Sequence, residues 1–193
     1  MITDSSQLDP NGTYTYADYQ TWGFEEWVEL LDGRFRVFNK PGKSPNHQRV
    51  TAALGLEFNQ QLAQQPYEVW YVPLPLVLGN ESAGESRTLV IPDVYIIGES
   101  TPNYPDEYCW HGIPALIAEV TDDRTADLDT SVKFRLYERY GVGEYWIVQP
   151  NQQAVNVYVL ENTAYALVDV FETGDIRCQT FPELSISHER IFR

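Results

Sequence analysis

The sequence predicts an α/β fold, a mixed β-sheet flanked by helices. Apolar, β-branched and aromatic segments of strand length recur along the chain, and two segments, 44–65 and 127–140, carry apolar residues at helical spacing. The strand–helix–strand run from 115 to 148 is long enough for a right-handed parallel crossover. Strands mixed with two long helices give a sheet covered by helices.

Residues 1–14 read as a loose N-terminal tail and 15–193 as one domain. Thr15 is placed to cap a short helix over Tyr16–Trp22 that ends at Gly23. Trp27–Phe38 reads as a hairpin, because Asp32-Gly33 supplies the positive-φ turn that a two-residue hairpin connection demands. Ser44 or Asn46 caps a long helix to about Gln65, with Val50, Leu54, Phe58 and Leu62 as its apolar stripe, and Pro66 ends it. Tyr67–Leu78 and Thr88–Ile97 follow as strands, then a polar, Pro- and Tyr-containing loop over 98–112. Ala115–Val120 is apolar except for Glu119, the pattern of a central strand buried on both faces. A helix over Asp127–Tyr140 presents Leu128, Val132 and Leu136 on one face and stops at Gly141. Strands at Glu144–Val148, Val155–Leu160 and Tyr165–Phe171 complete the sheet, and a weak strand near Ile176 precedes the closing loop.

Composition narrows the function. The chain has 193 residues, 43% of them hydrophobic and 13% aromatic, enough for one sizeable core. Two cysteines far apart, Cys109 and Cys178, form no disulfide framework, so a reducing compartment is the simpler expectation. The start, MITDSSQLDP, is unlike a secretory or transit peptide, and no run reaches the roughly 20 apolar residues of a membrane span, so a cytoplasmic address and no membrane partner are expected. The net charge of −15 argues against a dedicated DNA-binding module, since affinity for phosphates comes from Lys and Arg. It leaves room for a nuclease, because a bound cation inverts the sign of a carboxylate-lined site.

Four charged residues stand where a purely structural pattern would not put them. Glu119 interrupts IPALIAEV, Asp93 interrupts LVIPDVYII, Glu29 opens ELLDG, and Lys133 lies on the helix after the Glu119 strand. A lone buried carboxylate costs several kcal/mol unless it is paired, protonated or metal-bound. Two strand carboxylates with a lysine are what phosphodiester hydrolysis requires: hard oxygen ligands for Mg²⁺ or Mn²⁺, and a cation to orient water or to steady the transition state. Each residue also has a plainer reading. Glu119 also reads as an ion pair with Arg124 or Arg135, Asp93 as a turn residue after Pro92, Glu29 as an edge-strand charge in solvent, and Lys133 as the i+4 partner of Asp129. His47 reads as a phosphate contact, a helix cap or a structural histidine. Cys109-Trp110-His111 suggests zinc, but only the remote Cys178, His188 and His47 could complete four ligands. No phosphate-binding Gly-rich loop, nucleophile elbow or dinucleotide fingerprint occurs.

Asp93 and Glu119, with 25 residues between them and each on an apolar strand, resemble the acidic pair of the PD-(D/E)XK nuclease superfamily. More closely, the chain resembles the Uma-two family (DUF820) of restriction-endonuclease type. The matching pieces are ELLDG at 29–33, His47 at the start of the long helix, IPDV at 91–94 and GIPALIAEV at 112–120. The most specific block is Thr125, Asp129, Lys133, Tyr137 and GVGEYWIVQP at 141–150, and FPELSISHERIF closes the match, which spans about 15–192. The resemblance implies a restriction-endonuclease-like core, Mg²⁺ or Mn²⁺ held by Asp93 and Glu119, Glu29 as accessory acid, Lys133 in place of the motif lysine, and DNA as substrate. A homodimer would suit duplex cleavage. The chain departs from the wider pattern at Thr121, two residues after Glu119, where the lysine usually stands, and at Asp122-Asp123 and Gln149. Two rivals stay in view, the first favoured by the departure at 121 and the net charge. One is a catalytically inactive member of the fold serving as a binding or assembly module, and the other a carboxylate pair acting on another substrate such as a glycoside.

Overall fold

The computed structural model of the chain describes residues 2–38, 44–71, 74–79, 83–98, 109–122 and 127–193. Most of the loop expected over 98–112, and Asp123, Arg124 and Thr125, therefore lie outside the described residues. In chain order the helices are α1 (Tyr16–Tyr19), α2 (Pro45–Leu62), α3 (Phe134–Tyr140), which continues a π-helical turn over Leu128–Lys133, and α4 (His188–Phe192). The strands are β1 (Trp27–Leu31), β2 (Arg34–Phe38), β3 (Glu68–Trp70), β4 (Leu76–Val77), β5 (Leu89–Val90), β6 (Val94–Ile97) and β7 (Trp110–His111). Then follow β8 (Leu116–Val120), β9 (Glu144–Gln149), β10 (Ala154–Glu161), β11 (Ala164–Phe171), β12 (Asp175–Arg177) and β13 (Ser185–Ser187). The architecture is mixed α/β.

The chain forms two compact units. The first comprises 1–42, 74–91 and 102–112 and is built on a five-stranded sheet in the order β2-β1-β5-β4-β7. Its hairpin follows from the turn chemistry: Asp32 and Gly33 sit at φ 54° and 81°, the left-handed pair that matches strand twist. A Cβ on residue 33 would fall 2.5 Å from the Thr13 methyl, so glycine is required there twice over. Thr15 caps α1 in a reciprocal capping box with Asp18. Within residues 1–14, Ser5–Gln7 form a 3₁₀ turn and Leu8 is buried.

The second unit comprises 43–73, 92–101 and 113–193 and holds a six-stranded sheet in the order β11-β10-β9-β8-β6-β3. Ser44 caps α2 with Pro45 in its first turn, and Val50, Leu54, Phe58 and Leu62 lie in one core with Val94, Ile96, Leu116, Ala118, Val120, Trp146 and Val148. Alternation along β6, β8 and β9 then turns Tyr95, Ile117, Glu119, Tyr145 and Ile147 to the opposite face, where the Tyr137 and Phe134 rings meet Tyr145. The central strand is buried on both sides, and β8 and β9 run parallel through the helix between them.

Several expectations change: Tyr67–Leu78 holds two strands, β3 and β4, in different sheets, and the closing loop holds β13 and α4. The segment Thr88–Ile97 is not one strand, because Pro92 has no N–H for a ladder, so β5 ends before it and β6 begins after it in the other sheet. The stripe Leu128, Val132, Leu136 also fails: Val132 is 47% exposed, and the inward face carries Leu128, Asp129, Lys133, Leu136 and Tyr137. The wider π turn shifts the phase of the first residues against that of α3.

Candidate functional site

In the second unit β6 and β8 are antiparallel, with Val94 opposite Ala118, so the start of β6 lies beside the end of β8. Asp93 sits at the bend before β6 and Glu119 near the end of β8. The N–H of Val120, the residue directly after Glu119, donates to Asp93 Oδ2 at 2.8 Å. The structure thus brings the two acids to adjoining strand ends. Asp93 is the turn residue that Pro92 foretells and is also a buried hydrogen-bonding centre, its side chain 9% exposed.

Lys133 reaches the strand from its helix. Its Nζ lies 2.9 Å from Glu119 Oε1, and the same oxygen accepts the Tyr137 hydroxyl at 2.7 Å. Asp129 Oδ1 is 3.9 Å from the ammonium, so the expected i,i+4 pair exists but is the longer of the two contacts. Asp129, Lys133 and Tyr137, spaced by four, form the inward charged line of the helix. Glu119 is 1% exposed, and its ion-pair partner is Lys133 rather than Arg135, which is exposed. Arg124 lies outside the described residues. Removing one member of such a buried pair is expensive, because the surviving charge has already lost its water.

Beneath this line Tyr145 donates to the main-chain carbonyl of Asp129 at 3.0 Å. Its phenol is held well above the ordinary tyrosine range, by burial first and then by the charges of Glu119, Asp129, Tyr165 and Asp93. Three carboxylates therefore act electrostatically on a single buried hydroxyl. At 121, the threonine hydroxyl donates to the Val148 carbonyl at 3.3 Å, a cross-strand tie.

Sequence reasoning did not foresee the partner of His47. Its Nε2 lies 3.0 Å from Asp93 Oδ2, its Nδ1 is 3.4 Å from the Thr51 hydroxyl, and Ser44 Oγ accepts its backbone N–H. The contact spans 46 residues of sequence, so no local pattern encodes it. A second missed carboxylate, Glu144, is fully buried and accepts from Trp146 Nε1, the Cys178 thiol and the backbone N–H groups of Gln179 and Thr180. Its ring of fixed donors marks it as structural.

Glu29 belongs to the first unit. It is 1% exposed on β1, a strand flanked by β2 and β5 rather than an edge, and its Oε1 accepts the Ile91 N–H at 2.9 Å. Cys109 and His111 are also there, buried among aromatic side chains, with the His111 ring edge-on to Tyr16.

The donors at 93 and 119 are hard carboxylate oxygens, the chemistry that Mg²⁺ and Mn²⁺ take, and Mg²⁺ asks for only one or two of them beside waters and phosphate oxygens. Among the described residues no group of three or more His, Cys, Asp or Glu side chains is placed to hold a metal ion, so the zinc suggestion at Cys109-Trp110-His111 has no ligand set there. No helix among the described residues is long and apolar enough to cross a membrane.

A protein-family model described as "Uma2: Putative restriction endonuclease" matches residues 16–189. Among solved structures the chain is similar to "a putative nuclease belonging to DUF820 from Anabaena variabilis ATCC 29413", with TM-score 0.70 and 16% identity over 92% of this chain and 97% of that one. At that identity the likeness is one of fold. No curated protein sequence matches.

Proposed function

From the premise that this chain belongs to the Uma2 family, whose model matches residues 16–189, we propose that it is a metal-dependent endonuclease hydrolysing DNA phosphodiester bonds. Asp93 and Glu119 would hold Mg²⁺ or Mn²⁺, with Lys133 as the accompanying cation. The observation that carries this reading is the arrangement around the peptide between Glu119 and Val120: Asp93 bonds to its N–H, and Lys133 bonds to the Glu119 carboxylate. When bound, the metal supplies a water of lowered pKa and positive charge against the phosphate. The chain's own residues do the rest. Val120 N–H fixes the Asp93 carboxylate, Tyr137 and Lys133 fix that of Glu119, and the Lys133 ammonium offers charge stabilisation that needs no reorganisation.

The cations are unevenly spread along the sequence. Residues 33–56 contain Arg34, Arg36, Lys40, Lys43 and Arg49 and no Asp or Glu, so five of the 13 Lys and Arg residues fall in one acid-free run. A homodimer would present one site to each strand of a duplex, which sedimentation with and without DNA tests.

The deciding experiment is Mn²⁺ titration together with a plasmid-cleavage assay on the wild type, Asp93→Ala and Glu119→Ala. Loss of both metal affinity and cleavage in the two variants is the expected result; metal affinity unchanged in both variants defeats the reading. A second reading, a catalytically inactive nuclease fold serving as a binding or assembly module, draws on the closed Lys133–Glu119–Tyr137 cluster, which is also the form of a structural ion pair. It predicts metal binding without cleavage of any nucleic acid, together with a stable oligomer.

A further inference from the structure

We propose that His47 is a positioning residue of this site: it locks the orientation of the Asp93 carboxylate and thereby raises affinity for the divalent cation. The inference rests on the metal reading above. Its ground is the way donors from two separate elements, α2 and β8, converge on one oxygen. Ser44 and Pro45 fix where α2 begins, which places residue 47 in the first helical turn, and Ser44 Oγ accepts its backbone N–H at 3.1 Å. One turn further, the Thr51 hydroxyl lies 3.4 Å from Nδ1. A hydroxyl donating there leaves the imidazole proton on Nε2, and that N–H then donates to Asp93 Oδ2 at 3.0 Å. The imidazole is buried, its side chain 3% exposed, so water does not compete for the contact.

The second donor to Oδ2 is the Val120 N–H, at 2.8 Å, from the end of β8. One donor leaves a carboxylate able to swing about its last torsion, whereas two donors from different elements fix both its position and its plane. In metal sites this outer layer of hydrogen bonds holds a ligating carboxylate in the geometry the cation requires, and its loss typically weakens metal binding about 10–100-fold. The geometry also separates His47 from the other roles its residue type suggests. With its Nε2–H directed at a carboxylate and Nδ1 beside a hydroxyl, the ring acts as a donor to an acid and not as a metal ligand.

The test compares Mn²⁺ affinity, by calorimetry on the full chain, for wild type, His47→Ala, His47→Gln and Asp93→Ala, with thermal melting recorded for each. Gln carries an amide N–H at nearly the reach of Nε2 and keeps the donor without the ring. His47→Ala is expected to weaken Mn²⁺ binding by about 10–100-fold, and His47→Gln to recover most of that loss. A purely structural role would lower the melting temperature and leave the affinity of the folded protein alone. Wild-type affinity in His47→Ala, or in His47→Gln a loss as deep as that in His47→Ala with melting unchanged, overturns the inference. If His47→Ala does not fold, His47→Gln decides alone: near-wild-type affinity supports the role, and affinity as poor as that of Asp93→Ala overturns it. The Asp93→Ala arm judges the metal reading separately. If that variant binds Mn²⁺ as the wild type does, the metal reading falls and His47 has no site to position; if it loses binding while His47→Ala keeps it, only the role of His47 fails.

Discussion

Replacing Lys133 by methionine keeps the length of the side chain and withdraws its charge. The ammonium lies 2.9 Å from the Glu119 carboxylate and 3.9 Å from that of Asp129, and all three residues are buried. Breaking a buried pair from one side costs about 3–5 kcal/mol, because the carboxylate left behind has neither water nor counter-charge at the position the cation held. For a chain of this length, about 2–4 °C of melting temperature accompanies each kcal/mol, so Lys133→Met is expected to melt roughly 6–20 °C lower. Pairing it with Glu119→Gln removes the nearer of the two stranded charges, so the double variant is expected to regain part of the loss. Urea titrations of the four proteins give the coupling energy directly. A Lys133→Met variant within about 1 kcal/mol of wild type, or a double variant no better than the worse single one, refutes the claim that this is a tight buried pair.

Glu144→Ala removes the acceptor of two backbone N–H groups, an indole and a thiol; it is expected to cost about 2–4 kcal/mol in urea unfolding while leaving Mn²⁺ affinity unchanged, and an affinity loss as deep as that of Glu119→Ala would show that this carboxylate is not merely structural. Burial, then the Glu144 charge, pushes the Cys178 thiol far above the ordinary cysteine range, so it is expected to resist alkylation at pH 8–9 in the native protein and to react at once in urea; rapid native labelling traced to residue 178 contradicts the packing. The Tyr19 phenol is pushed up to about 12, by burial first and then by Cys109. A raised folded-state pKa means that the unfolded chain releases this proton first, so the stabilisation is complete below about pH 10 and is lost as pH climbs from about 10 through 12. Tyr19→Phe is expected to lose less stability across that window, and urea midpoints falling in parallel for both proteins contradict this assignment.

What was legible in the sequence is what local chemistry dictates. Asp32-Gly33 announces its turn because two consecutive positive φ values leave few other residues to choose from, and Ser44-Pro45 announces α2 because a cap and a missing N–H both belong at a helix start. The carboxylates at 93 and 119 stood out because an acid inside an apolar strand needs a reason. Lys133 was legible as a candidate, but its reach was not, since that depends on which way a helix lies over a sheet. The bond between His47 and Asp93 joins an element start to a bend far along the chain, and nothing within either segment signals the other. Glu144 escaped notice although it satisfies the criterion that singled out Glu119; only the donors gathered around it tell the two apart. The failed stripe through Val132 has a similar origin, because periodicity assumes a constant turn and Leu128–Lys133 does not keep one.

That wider turn has a genetic corollary. A π turn holds one more residue than the α turn it interrupts, so dropping a single exposed residue, Thr130 or Ser131, lets the segment close to α while the residues on either side keep nearly the same faces. Asp129 would stay on the side of Lys133, and Tyr137 would keep its own place. The lysine of this protein is located by counting around a cylinder rather than along a ribbon, and a helix that changes its pitch can lose one codon without changing which residues face inward.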